Sequence, residues 1–214
     1  MGDLIHLDER RSRRAATATV FFFDICCPLS YLVAERVERI LGAVDWIPVE
    51  GTLLCDPDPD PDRDDDAQLG VLRVRVESYA RELRLPLVWP DVHPAHPTRP
   101  PRATRARRAC TFACELGAGP AFALAASRLA FCGGFDLDDP ETLAEAAAAA
   151  GVPLQPCLEA AGETWRDEEL CDAALLLREY GVAQLPALRI EGRWLEGEAA
   201  LLTGPLLRAG RARR

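Results

Sequence analysis

The stretch Phe21-Phe22-Phe23-Asp24-Ile25-Cys26-Cys27-Pro28-Leu29-Ser30-Tyr31-Leu32 constrains this chain more than any other. Aromatic and β-branched residues from Thr17 to Phe23 favour a buried strand. Pro28 has a fixed φ and no N–H to lose, which suits a first helical turn. Leu29, Leu32, Val33, Val37, Ile40 and Leu41 then recur at helical spacing up to Gly42. Cys27 thus falls at or next to the N-cap, where the positive end of the helix and its unpaired N–H groups favour a thiolate. It is expected to be a nucleophile and the most acidic of the eight cysteines. A packed apolar cysteine that happens to precede a helix is the alternative these residues leave open. Residues 44–50, Val-Asp-Trp-Ile-Pro-Val-Glu, read as a second strand and complete a β-α-β unit. Such a crossover is right-handed, and sites in open α/β sheets lie beyond the carboxyl ends of the strands, where Cys26 and Cys27 follow Phe23.

Beyond this unit, Asp and Pro alternate from Cys55 and pass into an acidic run ending at Asp66, which predicts an extended loop. Its carboxylates lack the glycine and terminal glutamate of a calcium loop, so no metal is expected there. Helical periodicity covers about 67–84, 102–117, 120–132, 140–150, 153–161 and 166–180. The breaks fall at prolines between 86 and 101, at Gly133-Gly134 and at Asp138-Asp139-Pro140-Glu141. Residues 187–191 and 193–196 flank Gly192 as a hairpin, and 198–207 suit a last helix.

The Asp-x-x-Cys-Pro-x-Ser-Tyr-Leu turn after a first strand resembles the active-site turn of the DsbA-like branch of the thioredoxin superfamily. The similarity is greatest to the group of 2-hydroxychromene-2-carboxylate isomerases and kappa-class glutathione transferases. It continues through Leu85-Pro86-Leu87-Val88-Trp89-Pro90, Ala109 to Ala113, Phe131 to Gly134, Asp139 to Leu143 and Leu185-Pro186-Ala187-Leu188, spanning roughly residues 17 to 205. The resemblance implies an α/β, thioredoxin-like fold with a central all-helical insertion. Residues 17–51 and 182–208 would make the thioredoxin-like domain, 52–181 an acidic loop and the helical insertion, and 1–16 a polar leader. It also implies a cis bond at Leu185-Pro186 facing the Cys27 turn.

In the isomerase group a serine usually stands where Cys27 is, and in the disulfide oxidoreductases a second cysteine usually stands where Ser30 is. This chain therefore mixes the two patterns. With no second sulfur at Ser30, an adduct on Cys27 needs another thiol to clear it. Cys26 is a neighbour too close for an unstrained disulfide, and so a secondary thiol or a packed residue. In glutathione-using relatives the residue matching Cys27 holds the glutathione sulfur, backbone before the cis-proline binds the peptide, and a Gly-x-Asp-Arg-like turn binds the γ-glutamyl end. Cys27, Pro28, Leu185 and Pro186 carry over. Glu198 is the acid available in the third place, and the arginine is missing, which matters because a planar fork captures carboxylates.

The expected activity is that of a thiol-disulfide oxidoreductase or thiol transferase with Cys27 as nucleophile and Ser30 as hydroxyl donor. A glutathione-dependent isomerase and a catalytically degenerate binding protein are the alternatives. No covalently bound cofactor is expected; glutathione or another low-molecular-weight thiol would serve, with a small thiol or disulfide as substrate, and a homodimer is compatible with this reading. A net charge of −9 excludes a general nucleic-acid or anionic-membrane binder. All 25 basic residues are arginine; Arg99, Arg102, Arg105, Arg107 and Arg108 form either an anion patch or a solvated helix face. The first twenty residues lack the apolar core of a secretory signal, which points to a cytoplasmic protein with reduced cysteines. Cys110 and Cys114 share one helix face, and without a completing pair at zinc spacing core packing is their expected role.

Overall fold

The computed structural model describes residues 19–54, 65–90 and 103–201, without the side chains of 65–69. The leader, most of the acidic segment with Cys55, the histidines of 92–97, Arg99 and Arg102 lie outside the described residues. Strands β1 (Val20–Phe23), β2 (Asp45–Pro48), β3 (Ala187–Ile190) and β4 (Arg193–Glu196) form one sheet in the order β2-β1-β3-β4. β1 pairs parallel with β2, and β3 runs antiparallel to both of its neighbours. Between β2 and β3 come a 3-10 turn (Gly51–Leu54) and the helices α3 (Asp65–Leu83), α4 (Thr104–Glu115), α5 (Gly119–Gly133), α6 (Pro140–Ala150), α7 (Leu154–Ala160) and α8 (Arg166–Glu179). The β3–β4 turn passes through Glu191 and Gly192, both at positive φ, as a tight hairpin requires.

All four residues of β1 are buried because both faces of the strand are covered. Phe21 and Phe23 face the larger core, edge-on to Trp46 at 4.8 and 5.3 Å, with Leu32, Phe122, Leu143 and Leu188. Val20 and Phe22 face a smaller core closed by Ala173, Ala174 and Leu177 of α8. Burying each phenylalanine contributes about 1.5–3 kcal/mol, so the strand that leads into Cys27 is firmly anchored. Asp139 caps α6 by accepting the Glu141 N–H, and the helix then buries Ala146 and Ala147, whose small side chains permit close packing.

Two expectations change. The helix after Cys27 is broken into α1 (Pro28–Ala34) and α2 (Val37–Leu41). The residues at the break are held from elsewhere: Arg128 forks onto Glu35 at 2.6 and 2.8 Å, and Arg36 donates to the Leu201 carbonyl at 3.1 Å. The described start of the expected last helix is a 3-10 turn, Gly197–Leu201. No helix among the described residues is long and apolar enough to cross a membrane.

Candidate active site

β1 ends by turning Asp24 inward, and everything at the turn is organised around that carboxylate. It is 4% exposed and accepts four hydrogen bonds, from the Cys26 N–H (2.9 Å), the Gly51 N–H (2.9 Å), and Arg107 Nε (3.0 Å) and Nη2 (2.8 Å). Arg107 also reaches Glu50 at 3.4 Å. The ion pair ties the start of α1, the end of β2 and the first turn of α4 into one unit. Burial works against the Arg107 charge, but Asp24, Cys26 and Glu50 outweigh it, so the guanidinium holds its proton more firmly than usual. Arg107 is thus neither a solvated face nor a surface anion patch, and Arg108 is engaged by Asp167 at 2.6 and 2.7 Å.

Cys27 is the N-cap of α1, with extended φ and ψ, and its side chain makes no capping hydrogen bond. Sγ lies 3.8 Å from the Leu185 carbonyl, and the Leu185-Pro186 bond is cis, as expected. Ser30 is buried; its Oγ accepts the Asp24 N–H at 3.3 Å and its hydroxyl is among the groups that favour the Cys27 thiolate. The expected acidity of Cys27 is reversed. Burial, with the nearby Asp24 charge, pushes the thiol above its ordinary value, outweighing the Ser30 hydroxyl and the N–H groups of Ser30 and Leu29 that favour the thiolate. Cys26 is pushed well above the ordinary value, by burial first and the Asp24 charge second. It is a neutral thiol packed behind the turn.

Pro28 opens α1 and Pro186 is buried beside Leu185. The Pro186 carbonyl accepts the Gly197 N–H at 2.9 Å, which brings Glu198 to the same end of the sheet. Glu198 does not stand alone: Tyr79 donates its hydroxyl at 2.6 Å and Arg75 pairs with it, both from α3. An arginine absent from the local sequence thus reaches Glu198 from another element. Glu196 accepts the N–H groups of Ala183 (2.8 Å) and Gln184 (3.0 Å), which fixes the loop that presents Leu185. Asp24 stands in the turn motif and so had a visible signal, and Arg107 was visible only as one of an arginine cluster; the roles of Arg75, Tyr79 and Glu196 had none, because their partners come from other segments.

Among curated protein sequences none matches the chain. Several solved structures share its fold. A 2-hydroxychromene-2-carboxylate isomerase is 16% identical with a TM-score of 0.74, the match covering 92% of this chain and 95% of that one. A probable DsbA oxidoreductase from Streptomyces coelicolor is 19% identical with a TM-score of 0.64, covering 92% and 91%. The cytosolic disulfide reductase DsbM from Pseudomonas aeruginosa, solved with GSH, is 15% identical with a TM-score of 0.60, covering 91% and 96%. The model of the DSBA-like thioredoxin domain matches residues 18–203, nearly the whole of the sheet, the helical block and the Cys27 turn. By that match the chain belongs to the DSBA-like thioredoxin domain family.

Proposed function

We propose that this protein exchanges thiols and disulfides through one nucleophilic sulfur, that of Cys27, and hands its adducts to a low-molecular-weight thiol. The observation that carries this reading is the pairing of Cys27 with Ser30 in place of a second sulfur, beneath the Leu185 carbonyl. The resting thiol donates a hydrogen bond to that carbonyl at 3.8 Å, and its proton passes to water when it ionises. When the proton leaves, the Ser30 hydroxyl and the first N–H groups of α1 favour the anion. The thiolate then attacks one sulfur of a disulfide; the old S–S bond breaks, and the departing sulfur leaves as a thiolate that takes up a proton. A second thiolate, from solution, attacks the mixed disulfide and restores Cys27.

The solved structure of DsbM with GSH supports a glutathione-like thiol for the second step. Glu198, flanked by Arg75 and Tyr79, offers a charged anchor for a zwitterionic ligand on the far side of Pro186. Glutathione-dependent isomerisation is the second reading, favoured by the oxygen at Ser30 and by the likeness to the isomerase fold.

The experiment compares the parent, Ser30→Cys and Cys27→Ser on a protein disulfide and on a glutathione mixed disulfide. The parent should clear the glutathione adduct but turn over the protein disulfide poorly; Ser30→Cys should gain dithiol turnover and Cys27→Ser should lose both activities. Strong dithiol turnover by the parent overturns the single-sulfur mechanism. Inactivity of all three variants overturns it in favour of the isomerase when glutathione binds, and of a binding protein when it does not.

A further inference from the structure

The Leu185 carbonyl faces the Cys27 sulfur at 3.8 Å, so whatever holds Leu185 in place also acts on Cys27. Leu185 lies in the loop from α8 to β3. The Val182 N–H donates to the Leu177 carbonyl at 2.9 Å, which ties the start of the loop to the last turns of α8. The Gly197 N–H donates to the Pro186 carbonyl at 2.9 Å, which ties its end to the residue after β4. Between these points Ala183 and Gln184 are exposed, and their N–H groups both donate to one oxygen of Glu196, at 2.8 and 3.0 Å. Two consecutive N–H groups that converge on one anionic oxygen form a nest, and such charge-assisted bonds are about twice as strong as neutral ones. Glu196 is the last residue of β4 and stands in register with Ala187 of β3, so the sheet sets its position and the loop follows. The Gln184 side chain also packs on the turn after β4, where a Cβ on Gly197 would overlap its oxygen. Leu185 is therefore bracketed by one strand end: the Glu196 carboxylate grips the two residues before it, and Gly197 grips Pro186 after it.

We propose that Glu196 is a positioning residue for Cys27: from the end of β4 it holds Leu185 against the sulfur, and so sets both the readiness of the thiol and the affinity for the disulfide substrate. The part that concerns substrate rests on the exchange reading above; the part that concerns the thiol does not. A carbonyl that accepts a hydrogen bond from a thiol stabilises its neutral form and opposes ionisation. Without the nest, Ala183 and Gln184 donate to water, and the Leu185 carbonyl is released from the sulfur. The thiol then ionises more readily. The substrate meets a wall that must be ordered as it binds, and that ordering weakens affinity. The two effects run in opposite directions, one raising the reactivity of Cys27 toward a small reagent and the other lowering the use of substrate. A mere loss of stability produces no such divergence. Asp24 and Ser30, which also act on the thiol, are untouched by a change at Glu196.

The test compares the parent with Glu196→Ala, Glu196→Gln and Ala146→Gly in two measurements: iodoacetamide labelling of Cys27 across a pH series, and steady-state exchange on a glutathione mixed disulfide. In Glu196→Ala the labelling profile should move about half a pH unit lower, so that labelling below neutral pH runs about threefold faster. Its KM should rise about tenfold with kcat little changed. Glu196→Gln keeps an oxygen for the two N–H groups and should stay close to the parent in both measurements. Ala146→Gly loosens a buried position of α6, away from the loop, and should lower stability without moving the labelling profile. A folded Glu196→Ala protein with the parental profile and KM overturns the proposal, as does a Glu196→Gln protein that behaves like Glu196→Ala. If the parent exchanges no disulfide, the exchange reading falls, and the labelling profiles alone decide the role of Glu196.

Discussion

Ser30 joins two residues that matter: its oxygen takes the Asp24 N–H and its hydroxyl favours the Cys27 thiolate. Ser30→Ala should therefore act twice. It leaves a buried N–H without its partner, at about 1–3 kcal/mol, and removes a donor to the thiolate worth about 1.5 kcal/mol or more. Alkylation of Cys27 at neutral pH should slow about tenfold, with its pH profile displaced to higher pH, since the lost donor had favoured the charged form. Iodoacetamide labelling across a pH series, read by mass spectrometry, checks this; a rate equal to the parent's would remove Ser30 from the thiol's environment. The place of Cys27 was legible because strand, proline and helical spacing are local signals. The direction of its pKa was not, since burial and the Asp24 charge depend on what folds over the turn.

The helices of the central block show how far periodicity reaches. α6 was placed at 140–150 as found, because Asp139, Pro140 and Gly151 punctuate it in sequence. The break between α1 and α2 has no local marker in the sequence, and the residues at it are met by Arg128 and by the Leu201 carbonyl, far along the chain. Arg107, 83 residues from Asp24, has none for its role either. Its guanidinium is the means by which α4 holds the site turn, and its removal strands a buried carboxylate. Arg107→Ala should cost about 3–5 kcal/mol in urea unfolding. A loss below about 1 kcal/mol, the scale of a surface pair, would show that Asp24 does not depend on α4.

Across the whole molecule, buried thiols set the response to alkali. Cys26 and Cys110 are both held well above the ordinary value when folded, Cys26 mainly by burial and Cys110 by the Cys114 hydrogen bond and burial. In the unfolded chain they release protons near pH 8.5. The folded state therefore binds more protons above that pH, and the stability present below about 8.5 declines as pH rises. Melting temperatures at pH 8 and pH 10 should differ in that direction, with Tyr31, also raised by burial, adding to the loss near and above pH 10. A flat profile would mean that these thiols ionise as freely in the fold as outside it. The β-α-β start and the hairpin were legible from the spacing of apolar runs and Gly192, whereas the sheet order and the contacts of Glu196 and Arg75 depended on tertiary placement. Cys27 and Leu185 meet across 158 residues, with the whole helical block between them. Contacts of such separation form only after a large loop has been closed, and they are slow to form. A chain still being synthesised has Cys27 early but not the carbonyl that faces it, so the completed turn arrives with the end of folding and reports that the insertion is in place.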